Sequence, residues 1–237
     1  MATKEKTNSY RKTGRIVGIF FITATLAGIL GLVFSGPLQA PDYLLDVSEN
    51  ENQVIIAALL SLVMAVAVAG IATSAYPVLK KQNEALALGY VGARIVEGVL
   101  FIVTVISWLL LLILSREFVK AGAPDASYFQ TIGELLQAVG NWVGPVVLDV
   151  AVSPVHYLIF YYLLYRSKLV PRWLSVWGLV GVPLWIAAGV LATFGHDPTS
   201  TTPIILNLPI ALNEMVLAVW LIVKGFNPSA IVSGSDN

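Results

Sequence analysis

Four ionisable side chains interrupt the long apolar runs of this sequence: Arg94, Glu97, His156 and Glu214. A charge placed mid-bilayer is costly, so such residues pair with one another or line wet space, and they point first to ion or proton chemistry. Arg94 and Glu97 are three apart and share a helix face. Asn207 and Glu214, seven apart, share another, with Asn213 flanking; Asp149, Ser153 and His156 form a third such row. A guanidinium can hold an anionic group, carboxylates accept protons or cations, and an imidazole titrates near neutrality. Together, Arg94, Glu97, His156, Glu214, Asn207, Asn213, Asp149 and Ser153 make a candidate ligand or ion pocket. With His156 protonated the central four charges cancel. With it neutral, one negative charge is left over, favouring a proton on a carboxyl or a bound cation.

The same residues fit a plainer arrangement. Arg94 neutralises Glu97, and Glu214 and His156 complete a network that only fixes helix packing, as in a structural or regulatory membrane subunit. An intramembrane acid–base enzyme is a third option and needs a substrate-sized cleft. The sequence gives it little support: it has no H-E-x-x-H, no G-x-S-x-G elbow and no phosphate-cradling glycine loop. Two histidines and no cysteine exclude a three-histidine or His/Cys zinc site. No span carries a lysine near its middle for a Schiff base, and His196-Asp197 reads as a turn before Pro198. No catalytic residue, metal or cofactor is assigned.

The elements that must position these groups follow from composition. The chain has 237 residues, 57% hydrophobic and 12% charged, against about a quarter charged in soluble domains; its mean hydropathy is +0.80. Fourteen basic residues balance fourteen acidic ones, which argues against a nucleic-acid partner. A helix needs about 20 apolar residues to cross about 30 Å of hydrocarbon. Six segments qualify: 16–34, 53–79, 89–114, 143–165, 173–194 and 202–223. The expected fold is all-α and polytopic, one six-helix transmembrane domain over 16–224 between a basic N-terminus (1–15) and a flexible tail (225–237). The first span reads as retained, because its apolar run is long for a signal peptide, Leu38 is not small and Pro41 opposes cleavage.

Basic residues set the orientation. With the N-terminus inside, Lys4, Lys6, Arg11, Lys12, Arg15, Lys80, Lys81, Arg166, Lys168, Arg172 and Lys224 all lie on the cytoplasmic side. Only Arg116 and Lys120 fall outside, among Asp42, Asp46, Glu49, Glu51, Glu117, Asp125 and Asp197. Both termini are therefore expected in the cytoplasm. Trp173, Trp177, Trp220, Tyr161, Tyr162 and Tyr165 make an inner aromatic belt, Trp108 and Trp142 an outer one. Counted from the inner side, Arg94 and Glu97 sit about 8 and 12 Å deep, Glu214 and His156 about 15 Å.

Breaks come next. Pro37 and Pro41 interrupt the first outer loop, a short helix fits Asp42 to Val47, and Ser48 with Glu51 reads as a capping box for the second span. From Tyr128 to Trp142, Phe129, Ile132, Leu135, Leu136 and Val139 fall on one helical face. The expectation is an interfacial amphipathic helix over 128–142 that turns into the fourth span at Gly140, Gly144 and Pro145. The alternative is one long kinked helix. Pro154, Pro183, Pro203 and Pro209 are further kink points. Gly14 and Gly18 make a small-xxx-small pair suited to close helix contact. Glu97-Gly98-Val99-Leu100 and Glu214-Met215-Val216-Leu217 share a spacing, but no wider internal repeat follows.

The stretch Tyr76-Pro77-Val78-Leu79-Lys80-Lys81-Gln82-Asn83-Glu84, through Leu86-Ala87-Leu88-Gly89-Tyr90 into Arg94-Ile95-Val96-Glu97, is followed later by Tyr165-Arg166-Ser167-Lys168-Leu169-Val170-Pro171-Arg172-Trp173-Leu174. In these two stretches the chain resembles domain-of-unknown-function family 4386, multi-pass membrane proteins of bacteria and archaea. The resemblance extends from about Arg11 to Phe226 and implies a prokaryotic plasma-membrane location. It also implies that the Arg94/Glu97 pair and the Arg166 to Arg172 loop belong to the family pattern. The expected function is binding or transport of a small solute or ion in a polar intramembrane pocket, with membrane lipids, a small solute or a proton as partners. A homo-oligomer is compatible with the sequence.

Overall fold

A backbone in hydrocarbon has no hydrogen-bond partner but itself. In the computed structural model, every regular element among the described residues is helical. The structure describes residues 2–122, 127–196 and 200–233, with side chains for 10–122, 128–196 and 200–230. Asp125 and Asp197, counted above among the outer acids, lie outside the described residues, as do the side chains of Lys4 and Lys6. The chain runs as α1 (Ala2–Phe34), a 3-10 turn (Gly36–Gln39), α2 (Tyr43–Glu49), α3 (Glu51–Leu79), α4 (Glu84–Lys120) and α5 (Ser127–Trp142). A π-helical stretch (Val143–Val152) leads into α6 (Ser153–Ser167), followed by α7 (Arg172–Thr193), α8 (Thr201–Val223) and α9 (Pro228–Ser233). Six helical segments are long and apolar enough to cross a membrane: α1, α3, α4, the continuous path from α5 through α6, α7 and α8.

These six close into a ring. α1 packs on α3 and α8, α3 on α4, α4 on α6, α6 on α7, and α7 on α8. Closure between first and last spans depends on small residues. A Cβ on Gly14 would lie 2.8 Å from Gly225 Cα, and one on Gly18 would lie 2.6 Å from the Ala218 carbonyl oxygen. The small-xxx-small pair therefore works as the sequence suggests, letting two backbones touch.

The end of the ring that holds both termini is shut. Phe21, Tyr90, Phe160, Tyr161, Leu163, Leu164, Leu169, Leu221 and Phe226 are buried in one core there. Tyr161, expected in the aromatic belt, is instead 1% exposed; its ring rests where Gly178 has no side chain. Arg11 and Arg15 on α1 donate to the carbonyls of Val223 and Ile222 at the end of α8, satisfying groups that the helix itself leaves open. Residues 225–230, the first part of the expected flexible tail, fold back onto this end. Phe226 is 1% exposed, Asn227 N–H donates to Leu169 O at 2.8 Å, and Gln82 donates to Ala230 O.

The opposite end carries a second core built from the first loop. Leu38, Leu44 and Val47 join Val54, Leu111, Leu112 and Phe129. α4 extends beyond the expected span at both ends, and its 37 residues span about 55 Å. Its far third is wrapped by α2 and α5. Ser48 and Glu51 do not form a capping box. Ser48 falls inside α2, and Glu51 makes a two-pronged ion pair with Arg116 at 2.6 and 2.7 Å. The extra helix before the fourth span is present as α5. It lies along the far part of α4, with Phe129 against Phe118 and Gly140 near Trp108, and passes into α6 without leaving helical geometry. The alternative expectation, one long bent helix, describes that path. Gly144, Pro145 and Pro154 act through widened π turns, because proline removes a donor and a wider turn re-registers the remaining bonds.

Candidate functional site

Along α4, the residues Ala87, Tyr90, Arg94, Glu97 and Gly98 are buried at helical spacing, so one stripe of this helix faces the ring interior. Gly98 lets α3 approach, since a Cβ there would lie 3.1 Å from Ala65 O. The stripe thus holds Arg94, 3% exposed, and Glu97, 6% exposed, deep between helices. Arg94 Nη1 donates to Glu97 Oε2 at 2.9 Å, and its Nη2 donates to Glu214 Oε1 on α8 at 3.4 Å. His156 Nε2 on α6 lies 3.3 Å from Glu97 Oε1, close but poorly aligned for a hydrogen bond. All four ionisable residues singled out from the sequence therefore meet at one point, supplied by three spans.

Aromatic rings enclose the guanidinium. Its carbon lies 5.6 to 5.9 Å from the ring centres of Tyr157, Phe21 and Tyr90, distances at which a cation gains from the ring faces. Tyr90 stacks on Phe160 at 4.9 Å, sealing the site on the side of the termini. On the other side it is open. A cavity of about 400 Å³ begins at Arg94, Glu97 and Glu214 and continues past Ser153 and Asp149 to Leu148, Gly144, Gly28 and Ile29. Every span contributes to its wall. Ile29 is 56% exposed, so the cavity reaches the outside of the bundle beside α1.

The remaining sequence candidates divide. Ser153 and Asp149 line the cavity, Asp149 from the π-helical stretch, where it takes no part in the ion pairs among the described residues. Asn213 does not face it. Asn213 is fully buried and donates to Leu174 O at 2.9 Å, tying α8 to the start of α7. Asn207 is also absent from the cavity wall. Arg94 cannot serve as the free positive charge for an anionic ligand in this arrangement, because both terminal amino groups are taken by carboxylates. Sequence reasoning missed Tyr90, Tyr157, Phe21 and Trp185. Two signals were there to be used: Tyr90 precedes Arg94 by one helical turn, and Trp185 sits in mid-span, away from the interfaces that tryptophan favours.

A family model matches residues 16–225, a stretch that contains every residue of the cluster. The chain belongs to this family, described as Domain of unknown function (DUF4386). No curated protein and no solved structure matches it. The two stretches that carry the DUF4386 resemblance have clear local roles in the fold. Asn83 accepts from Leu86 N–H and caps α4, which sets the phase of the helix that carries Arg94 and Glu97. Lys168 adopts φ 57° to end α6, after which Leu169 and Val170 plug the shut end of the ring. Both DUF4386 stretches thus stabilise the closed side of the site.

Proposed function

We propose that this DUF4386 protein binds a small solute or a cation in its intramembrane cavity, with Glu214 and Asp149 as the acceptor groups and Glu97, Arg94 and His156 as their fixed surroundings. The observation that carries this reading is the cavity itself: three carboxyl groups and one guanidinium line about 400 Å³ of space. If every carboxyl is ionised and His156 is neutral, the lining charges come to −2, an excess that a proton or a cation reduces. Apolar and aromatic walls around these groups suit an organic cation, which gains from ring faces as well as from charge. The membrane is a prokaryotic plasma membrane with both termini in the cytoplasm. In support, Arg11, Lys81, Lys168 and Lys224 lie at one end of the bundle, tied together through Tyr10, Val223 and Asn227.

A second reading has an observation of its own. Arg94 already pairs with both Glu97 and Glu214, which is what a network that only pins helices would show. Filling the cavity separates the two. Gly144 lines it, and a Cβ there meets nothing within 4 Å, so Gly144→Leu fills part of the space without removing an ionisable group. In nanodiscs, tetramethylammonium and sodium are titrated at neutral pH and saturable thermal stabilisation is measured. Wild type should gain stability with one of them, and Gly144→Leu and Glu214→Gln should each lose that response. A response that survives Gly144→Leu refutes the pocket, and no response in any variant leaves the packing network as the better account.

A further inference from the structure

A second site lies at the shut end, far from the ion cluster and independent of the reading above. Lys168, Arg172 and Lys224 converge on a surface pocket of about 460 Å³ closed by Trp220 and Phe226, and no acidic side chain lines it. None of the three cations takes part in an ion pair among the described residues. Lys224 is not spent as a cap for α8, because Arg11 and Arg15 already serve the carbonyls of Val223 and Ile222. α7 begins at Arg172 with no side-chain cap, so the positive end of its dipole faces the same space. Such a pocket attracts an anion.

Its continuation says which kind. Trp220 and Lys224 also line an apolar groove of about 420 Å³ along α8, formed with Met215, Val216, Val219 and Val223. These valines are exposed at helical spacing on the outside of the ring, Val219 at 55% and Val223 at 54%. From Lys224 back to Met215 the groove runs about 13 Å toward the middle of the span. A basic pocket at the end of a span that opens into an apolar groove along the span is a headgroup site joined to an acyl-chain site. We infer that this face binds an anionic phospholipid, its phosphate held by Lys168, Arg172 and Lys224 and one acyl chain laid along α8. A soluble phosphate would use the pocket and leave the groove empty.

Native mass spectrometry of the full chain in mild detergent tests this with phosphatidylglycerol, phosphatidylcholine of the same acyl chains, glycerol 3-phosphate and inorganic phosphate. One phosphatidylglycerol should be retained in preference to phosphatidylcholine, and neither soluble phosphate should displace it at equal concentration. The variant Lys168→Asn/Arg172→Gln/Lys224→Gln should weaken that binding by about fivefold per cation removed, on the order of a hundredfold in all. Val219→Trp, which fills the groove and leaves the cations, should weaken phosphatidylglycerol and spare inorganic phosphate. Equal retention of the two lipids overturns the proposal, as does displacement by glycerol 3-phosphate, which would mark a soluble-anion site. The wild-type lipid comparison decides even if a variant fails to fold.

Discussion

Replacing Arg94 with methionine isolates the energetic weight of the buried cluster. The arginine is 3% exposed and supplies the only cation within ion-pair reach of Glu214 and the only permanent one near Glu97 among the described residues. Methionine keeps most of the stem and its packing but leaves Glu97, with a side chain 7% exposed, without its 2.9 Å partner. Removing one member of a buried pair costs about 3–5 kcal/mol, chiefly because the other charge is stranded. Glu214 adds less, since its contact is 3.4 Å and its side chain is 16% exposed beside the cavity. At about 2–4 °C per kcal/mol for a chain of this size, the melting temperature should fall by about 6–20 °C. Intrinsic tryptophan fluorescence in detergent at neutral pH measures it. The double variant Arg94→Met/Glu97→Leu removes the stranded charge together with its partner and should recover most of the loss. If the single variant melts within about 2 °C of wild type, or the double melts no higher than the single, the cluster is not held together as argued.

Two further outcomes test the frame around it. Gly18→Leu would force a Cβ to within 2.6 Å of Ala218 O and 2.7 Å of Ile222 Cγ1; it should cost about 1–3 kcal/mol as α1 and α8 are pushed apart. Gly92→Ala, which meets nothing within 4 Å, is the matched control and should melt no lower than wild type. Arg116→Met breaks the two-pronged pair with Glu51 at the far end, where both side chains are substantially exposed. Its effect on melting should be far smaller than that of Arg94→Met and should vanish in high salt, because solvent already screens the pair.

The fold was largely legible because its main constraint, apolar length, is written locally. The charged cluster was legible for a related reason: ionisable residues in apolar runs are rare, and spacing of three on a helix places Arg94 and Glu97 together whatever the tertiary arrangement. Other parts needed the third dimension. Asn213 flanks Glu214 in sequence, yet consecutive helix residues point about 100° apart, and Asn213 faces α7. Asn207 shares a face with Glu214 on an ideal helix, but Pro209 stands between them inside α8. Tyr161 looked like Tyr162 and Tyr165 in sequence, and only the missing side chain of Gly178 on another helix turns it into core. A polar pocket is expected from these residues, but its shape and extent are not written in the sequence. Its volume depends on where small residues such as Gly28 and Gly144 fall relative to helices far away in sequence, and on π turns that no hydrophobic period announces.

The cluster itself divides into a structural part and a part that packing alone does not explain. A guanidinium needs one well-placed carboxylate to be tolerated in a low-dielectric interior, and Glu97 at 2.9 Å meets that need. Glu214, at 3.4 Å and on the cavity wall, is a weaker second partner, and Asp149 belongs to none of the ion pairs among the described residues. Each added carboxyl raises the desolvation cost without a matching cation, so a network built only to fix helices would be more stable with asparagine or leucine at both positions. Both carboxyls lie on the open side of Arg94, while the other side is sealed by Tyr90 and Phe160. Under the proposed function, that asymmetry gives the Arg94–Glu97 pair the structural role and Glu214 with Asp149 the ligand. The two sets should then separate experimentally: Glu97 variants lose melting temperature first, and Glu214 variants lose the cation response first.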